Sequence, residues 1–255
     1  MKDPEAKLRF YEELNDFLPR HRRKRSFVHR FTGTPTVKDV VESLGVPHTA
    51  IDVILVDGES VAFDRRLQGG ERVAVYPVFE RFDVKGLTRL RPEPLRDPKF
   101  IADVHLGKLA RYLRLLGLDT VYERDLDDAE IADRAQAEHR IVLTRDRGLL
   151  KRKIVTHGYA VRSHHADAQL LEVVEAFDLR SRVAPFTRCL QCNGALRGVD
   201  KASVEPILPP HTRETYDRYL QCTDCGSVYW PGAHSRRLAS IVASVVGSPC
   251  PKGSR

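Results

Sequence analysis

The sequence of 255 residues has no long hydrophobic run, and its longest apolar stretches, such as residues 241–246, are too short to span a membrane. Its first residues lack the apolar core of a secretory signal, so we expect a cytoplasmic protein with no membrane partner. Internal repeats and low-complexity segments are also missing. No serine–histidine–aspartate or cysteine–histidine constellation stands out, so the chemistry is not expected to need a protein nucleophile.

Positive charge outweighs negative charge along the chain. The 42 lysines and arginines exceed the 35 aspartates and glutamates, which gives a net charge of +7 and a pI of about 9.2. This balance favours a polyanionic partner, with nucleic acid first. The alternative is a soluble basic protein without such a partner.

The N-terminal region, residues 1–90, alternates strand patterns with one helix. Thr36 begins the helix with capping-box chemistry, Gly45 ends it, and Asp57-Gly58 marks a turn. The expected strands are residues 8–11, 27–31, 53–56 and 73–78, the first two joined by a basic loop. One helix on a mixed sheet in ββαββ order predicts a β-grasp fold.

A proline-punctuated stretch, residues 91–98, cannot continue a helix or a central strand and marks a domain boundary. From Phe100 onward, short apolar runs alternate with helical patterns. The first helix has a leucine stripe, Leu106, Leu109, Leu113 and Leu116, and is closed by Gly117, and the second carries Ile131 and Ala135. The expected parallel strands are residues 100–102, 120–122, 141–144 and 159–161. This alternation predicts a compact α/β domain over residues 98–183.

Four of the five cysteines lie in two C-x-x-C knuckles, and in a reducing compartment they are expected to be metal ligands before disulfides. The knuckles are Cys189 with Cys192 and Cys222 with Cys225. Four thiolates close a tetrahedral zinc site, so we expect structural zinc in a ribbon with a following helix over residues 184–247. Gly194 and Gly226, each shortly after a knuckle, are expected at the tight turns, and the long spacer, residues 193–221, predicts an insertion. The alternatives are two redox-active dithiols, or a sulfur replaced by His211 or His234.

Acidic residues follow three of the expected parallel strands. They are Asp103 after the first strand, Asp125, Asp127, Asp128 and Glu130 after the second, and Asp146 after the third. Because the carboxyl ends of parallel strands share one edge, these side chains are expected to hold Mg²⁺ or Mn²⁺, which would activate a water molecule. The local alternative is helix capping by Asp103, Asp146 and the pair Asp127 with Glu130.

Basic residues accompany these acids. Three groups are expected to contact a phosphate backbone: His105, Lys108 and Arg111; Arg145, Arg147, Lys151, Arg152 and Lys153; and the loop run that includes Arg22, Arg23, Lys24 and Arg25. The alternatives are a solvated helix face for the first two groups and a flexible solvated hairpin for the third.

Residues 100–114, 125–130 and 143–147 together resemble the PIN-like ribonuclease domain named after the C-terminus of a mutator exonuclease, the mutator-seven C-terminal RNase domain. The trailing zinc ribbon belongs to that resemblance. Residues 1–90 look like the N-terminal ubiquitin-like β-grasp domain of bacterial members, and residues 70–78 are similar to its sulfur-carrier branch.

The resemblance implies metal binding by Asp103, Asp128 and Asp146, with Asp125 and Glu130 as further candidates. The chain departs from sulfur carriers at Gly69-Gly70, which precedes a strand instead of ending the domain and so excludes conjugation. The domain is therefore expected to bind a partner or RNA. Many PIN-like domains with incomplete acidic sets do not cut RNA.

Three functions follow in order of expectation. The first is a metal-dependent endoribonuclease or RNA-processing factor. The second is a non-catalytic RNA-binding factor that docks on ribosomal RNA or tRNA. The third is an adaptor that binds a protein partner through its β-grasp domain.

Overall fold

The structure is a computed structural model that describes residues 3–77 and 98–247. Its described residues form two compact units: residues 3–77 with 127–160, and residues 98–126 with 161–247. Within these ranges, no helix combines the length and the apolar character that a membrane crossing requires. The division of the chain into domains at residues 1–90, 98–183 and 184–247 stays a prediction.

The strands of the described residues are short, as expected for a mixed α/β protein. In chain order they are β1 (Glu5–Phe10), β2 (Phe27–Arg30), β3 (Ile51–Val56), β4 (Glu59–Ser60), β5 (Arg72–Pro77), β6 (Phe100–Ala102), β7 (Thr120–Val121), β8 (Ile141–Thr144), β9 (Gly158–Ala160), β10 (Leu196–Val199), β11 (Tyr219–Cys222) and β12 (Val228–Tyr229).

The helices of the described residues include several that are only one turn long. The α-helices are α1 (Val37–Ser43), α2 (Gly107–Leu115), α3 (Asp128–Ala137), α4 (Arg147–Leu150), α5 (Ala166–Ala176), α6 (Lys201–Val204), α7 (Pro210–Thr215) and α8 (Ala233–Val246). The 3-10 helices are Glu12–Phe17, Arg20–Arg22, His48–Ala50, Val104–Leu106, Leu179–Arg182 and Glu205–Ile207.

The N-terminal sheet has the strand order β2-β1-β5-β3-β4, with β1 and β5 parallel and the other neighbours antiparallel. This topology confirms the β-grasp prediction. The structure adds β4, a two-residue strand that sequence periodicity did not indicate. The last expected strand of this domain, residues 73–78, ends at Val78, which lies outside the described residues.

Helix α1 covers this sheet because its sequence fixes both its ends and its buried face. Thr36 accepts a hydrogen bond from the amide of Asp39, whose side chain accepts from the amide of Thr36, so the capping box is confirmed. Val37, Val40 and Val41 are buried against the sheet. Gly45 ends the helix with φ +92°, a left-handed conformation that costs glycine little.

The same unit contains a parallel strand pair, β8 with β9. Every residue of β8 is buried, and α3 and α4 pack against the strand. Ile131 and Ala135 are buried on α3, as the sequence pattern predicted. Burial on all sides explains why β8 is a continuous apolar run without alternation.

The second unit contains the parallel pair β6 with β7, which α2 covers, and α5 packs against α2. Leu109, Leu113 and Leu116 are fully buried along α2, which confirms the predicted leucine stripe. Gly117 ends the helix at φ +85°, and any Cβ there would clash with the carbonyl oxygen of Ala184. Parallel strands with flanking helices confirm the α/β class.

The C-terminal part of the second unit is a three-stranded antiparallel sheet in the order β10-β11-β12, followed by α8. The expected insertion is present between β10 and β11, where it forms α6, α7 and the 3-10 turn between them. Val204, Leu208 and Tyr219 form a small core beneath it. The ribbon is therefore a folded element with apolar contacts of its own.

Candidate functional site

The four knuckle cysteines lie together in the second unit. Their sulfur atoms are all within 4.8 Å of one another, with Sγ–Sγ distances of 3.6 Å between Cys189 and Cys225 and 3.4 Å between Cys192 and Cys222. Zinc–sulfur bonds of about 2.3 Å in a tetrahedron place sulfurs about 3.8 Å apart. The donor set and its spacing therefore fit a metal ion such as zinc.

Backbone geometry around the first knuckle differs from the sequence-based expectation at one point. The sequence indicated Gly194 for the tight turn, but Asn193 takes the left-handed conformation, with φ +73°. Gly194 is needed for a different reason, because a Cβ there would lie 2.9 Å from the sulfur of Cys222. In the second knuckle Gly226 has φ +73°, as the tight-turn expectation requires.

The thiols of the cluster differ in acidity. Hydrogen bonds from Ser227 lower the pKa of Cys225 to about 6. Burial raises the pKa of Cys192 to about 12. Because zinc binds thiolates, binding must release the protons of the less acidic thiols.

A buried arginine that the sequence analysis missed joins the first knuckle to the α/β part of the unit. Arg114, on α2, is 3% exposed, and its Nη1 donates to the carbonyl oxygen of Gln191 at 2.7 Å. Its Nε donates to the carbonyl oxygen of Thr120 at 2.8 Å. Burial lowers the pKa of this guanidinium, and the nearby thiols of Cys189 and Cys192 raise it. A signal existed, since Arg114 interrupts the buried leucine face of its helix.

A second set of polar contacts holds the same knuckle against β7. Asn193 accepts from the amide of Thr120 at 3.0 Å and donates to Asp119 Oδ1 at 2.8 Å. Arg188 donates to the backbone oxygens of Gly117 and Asn193, at 3.2 and 3.0 Å, and pairs with Asp119. The knuckle is thus part of the framework that carries β7 and the acidic turn after it.

The predicted acids of the second unit are Asp103 and Asp125. Asp103 directly follows β6 and is 3% exposed, and its Oδ1 accepts from the amide of His105 at 2.8 Å. It therefore caps the 3-10 helix after β6, as the local alternative expected. Asp125 is exposed in the turn after β7. Capping does not exclude metal binding, because each carboxylate oxygen can accept more than one partner.

The predicted acids of the first unit are Asp128, Glu130 and Asp146. Asp127 and Glu130 form a complete capping box at the start of α3, and amide donors lower the pKa of Asp127. Asp128 is the first residue of α3 and is half-buried. Asp146 caps α4, its Oδ1 accepting from the amide of Gly148 at 2.6 Å.

The carboxylates and the thiols differ in how closely the structure brings their donor atoms together. Across residues 3–77 and 98–247, the four cysteines are the one group of three or more ligating side chains whose donor atoms lie within 4.8 Å of one another. Asp103 and Asp125 belong to one compact unit, and Asp128, Glu130 and Asp146 to the other. A shared Mg²⁺ or Mn²⁺ site stays a prediction.

The predicted phosphate-binding residues of the second unit are exposed on α2 and the turn before it. His105, Lys108 and Arg111 face solvent, opposite the buried leucines. The Lys108 ammonium lies 5.6 Å from the ring centroid of Tyr112. Their exposure is compatible with phosphate contacts.

The predicted phosphate-binding residues at α4 include two side chains with protein partners. Arg147 lies over the ring of Phe17, 4.9 Å from its centroid, and Lys151 Nζ donates to the carbonyl oxygen of Glu42 at 3.0 Å. Arg152 and Lys153 are exposed, as is Arg145.

The basic run between β1 and β2 is held by hydrogen bonds, so the flexible-hairpin alternative is not what the structure has. Buried Asn15 donates to the carbonyl oxygens of Phe10 and Glu12 and accepts from the amide of Lys24 at 2.6 Å. Arg23 Nε donates to the carbonyl oxygen of Leu18 at 2.8 Å. Arg22 is half-buried over the Phe27 ring, and Arg25 is exposed.

The alternative zinc ligands are not needed by this arrangement. His211 is not a member of the cysteine cluster. The side chain of His234 and all of Cys250 lie outside the part of the chain that the structure describes.

Two family models match the chain. The model described as Mut7-C RNAse domain matches residues 98–242, and the model described as Mut7-C ubiquitin matches residues 3–83. Comparisons with curated proteins and with solved structures found no match. The two matched segments agree with the resemblance seen in the sequence.

Proposed function

Because the chain belongs to the Mut7-C RNAse domain family, we propose that it is a metal-dependent endoribonuclease or RNA-processing factor. The observation that carries the proposal is Asp103, a carboxylate 3% exposed that follows a fully buried strand inside the family match. Burying a charged group is costly, and a bound divalent cation would offset the charge of a carboxylate at this depth. The net charge of +7 supports a polyanionic substrate.

The carboxylates would hold Mg²⁺ or Mn²⁺ in a PIN-like arrangement. Asp103, Asp128 and Asp146 are the proposed ligands, with Asp125 and Glu130 as further candidates. When bound, the ion lowers the pKa of a water molecule and offsets negative charge on the phosphate. The capping hydrogen bonds of Asp103 and Asp146 hold each carboxylate in one orientation.

Other parts of the chain would support this chemistry. Lys108, Arg111, Arg145 and Arg152 are exposed and would contact the RNA backbone. The four cysteines would hold zinc as a closed structural site, and a reducing cytoplasm would keep their thiols available for the metal. Ribosomal RNA or tRNA is the proposed substrate class.

The test is cleavage of structured and single-stranded RNA by the purified protein with Mn²⁺. Asp103→Asn should lower the rate at least about 100-fold, because asparagine can still cap the turn but loses the charge that binds the ion. Asp127→Asn is the matched control, since Asp127 is an exposed cap in the same family match. Equal cleavage by wild type and Asp103→Asn would contradict the proposal.

A second candidate is a non-catalytic factor that binds ribosomal RNA or tRNA. It is favoured by the capping roles of Asp103, Asp146 and Glu130, which account for these acids without a metal. This candidate predicts RNA binding that weakens with salt, persists in EDTA and yields no products.

A further inference from the structure

The ubiquitin-like domain contacts a segment far along the chain, within the first compact unit. His48, which is 6% exposed, lies in the 3-10 helix between α1 and β3. Its Nε2 is 2.8 Å from the carbonyl oxygen of Val155, 107 positions away, and its Nδ1 is 2.6 Å from Glu42 Oε1. Val155 is itself buried. This contact belongs to none of the predicted sites.

Hydrogen-bond chemistry shows what this histidine does. A carbonyl oxygen only accepts, so Nε2 must carry a hydrogen that it donates to Val155. Nδ1 is engaged by the carboxyl group of Glu42, so both ring nitrogens have partners. The imidazole is therefore held at its two ends, once by α1 and once by the segment between α4 and β9.

Two further contacts hold the ends of α4 in the same way. Lys151, directly after the helix, donates to the carbonyl oxygen of Glu42 at 3.0 Å. Arg147, the first residue of the helix, lies over Phe17 of the ubiquitin-like domain. A helix of four residues has no stability of its own in water, so α4 depends on such packing.

Helix α4 in turn orients Asp146, whose carboxylate accepts from the amide of Gly148 at 2.6 Å. We propose that the ubiquitin-like domain is an intramolecular positioning element. Through His48, Phe17 and the carbonyl of Glu42 it holds α4, and thereby fixes the Asp146 carboxylate for metal binding. This inference rests on the proposed nuclease function and gives the domain a role within its own chain, with no conjugation or separate partner.

The test uses the full chain with His48→Ala. We expect the amides of residues 147–155 to exchange with deuterium faster, and the Mn²⁺ concentration for half-maximal cleavage to rise about 10-fold, the scale for losing a group that orients a metal ligand. The KM for RNA should change little. Loss of folded protein would lower the rate without moving the Mn²⁺ dependence, so this readout separates positioning from stability.

Three variants make the test specific. His29→Ala removes a histidine of the same domain that lies on β2 and takes no part in the contacts of His48, and it should leave both readouts unchanged. Glu42→Gln should also retain them, because its amide can donate to Nδ1 while Nε2 still donates to Val155. If His48→Ala does not fold, Phe17→Leu removes the aromatic ring beneath Arg147, keeps an apolar side chain against the core of the domain, and should move both readouts in the same direction.

The outcomes are distinguishable. Faster exchange with unchanged Mn²⁺ dependence, or unchanged exchange, overturns the inference and leaves the nuclease proposal standing. Faster cleavage by His48→Ala would make the domain an inhibitor and also overturns it. A wild-type protein that cleaves no RNA with Mn²⁺ removes the proposed function itself, and this inference with it.

Discussion

The thiolate cluster and the acidic strand ends are both candidate metal sites, yet the chain builds them differently. Each C-x-x-C knuckle brings two sulfurs together within one turn, and one antiparallel ribbon brings the two knuckles together. The carboxylates come from separate strand ends, and Asp103, Asp146 and Glu130 each satisfy a nearby amide. When the ligands lie in short turns, their spacing in the sequence predicts the metal site. When the ligands lie at the ends of separate strands, the site depends on how the whole sheet assembles.

The two regions also differ in how their charge is compensated. The thiolates have a buried cation nearby, Arg114, which is itself satisfied by backbone oxygens. The cations near the acidic strand ends, such as Arg145 and Lys108, are exposed to solvent. A buried compensating charge is compatible with a permanently bound structural ion, and exposed cations are compatible with a substrate that binds and dissociates.

Replacing Cys189 by serine should have the largest effect on the molecule. Structural zinc contributes about 10–16 kcal/mol of apparent binding free energy to small domains, and the loss of a buried thiolate removes most of it. We expect loss of bound zinc, measured by mass spectrometry of the metal, and unfolding of the ribbon. Cys250→Ser is the matched control and should retain zinc. Equal zinc loss in both variants would refute the assignment of the four ligands.

Mild chelation should separate the two candidate metal sites in one sample. Dialysis against EDTA is expected to lower RNA cleavage at least about 100-fold, or about 2.7 kcal/mol in activation free energy, because carboxylate-bound Mg²⁺ or Mn²⁺ exchanges readily. Zinc in the closed thiolate site should remain. Added Mn²⁺, without zinc, should restore cleavage. Recovery that requires zinc would place the catalytic ion among the cysteines.

Arg114→Met should destabilise the fold by about 3 kcal/mol, because it leaves buried carbonyl oxygens without donors. The measurement is the free energy of unfolding in urea. Arg111→Met, one turn earlier on the same helix but exposed, should change it by less than about 0.5 kcal/mol. Similar values for the two variants would show that the knuckle does not depend on Arg114.

Glu172 is a carboxylate whose hydrogen-bond partners lie within the protein. Its replacement by glutamine should give the smallest change in the free energy of unfolding. Burial raises its pKa, but hydrogen bonds from Arg162 and Ser163 outweigh burial and hold it below the usual 4.5. A depressed folded-state pKa stabilises the fold above about pH 4.5, and that stability is lost as the pH falls through the folded value. Glu172→Gln should therefore cost about 1.5 kcal/mol at pH 7 and less at pH 3.5. A pH-independent difference in unfolding free energy would contradict this.

Local signals predicted much of the fold. The Thr36 capping box, the left-handed glycines at 45 and 117 and the Asp57-Gly58 turn, with φ of +51° and +92°, all lie where the sequence indicated. Each depends on a hydrogen bond or a backbone angle within a few residues. The order of the β-grasp strands followed because hydrophobic alternation left few arrangements of a single helix on a mixed sheet.

Contacts between distant residues escaped the same approach. The 3-10 helices in the basic loop depend on Asn15, whose burial was not visible from composition. Arg147 and Lys151 were assigned to RNA, and the structure shows them also bound to Phe17 and to the backbone of Glu42. Asn193, and not Gly194, takes the left-handed turn, because its side chain is drawn to Thr120 and Asp119.

Residue order alone settled the helix caps, the glycine turns, the cysteine knuckles and the family to which they belong, because each depends on atoms close together along the backbone. The tertiary structure determined the partners of Arg114 and His48, whose hydrogen bonds join residues 77 and 107 positions apart in the chain. No periodicity encodes such pairs. They form because burying a polar group without a partner costs more than the chain can tolerate, and only the packed structure determines which acceptor is within reach.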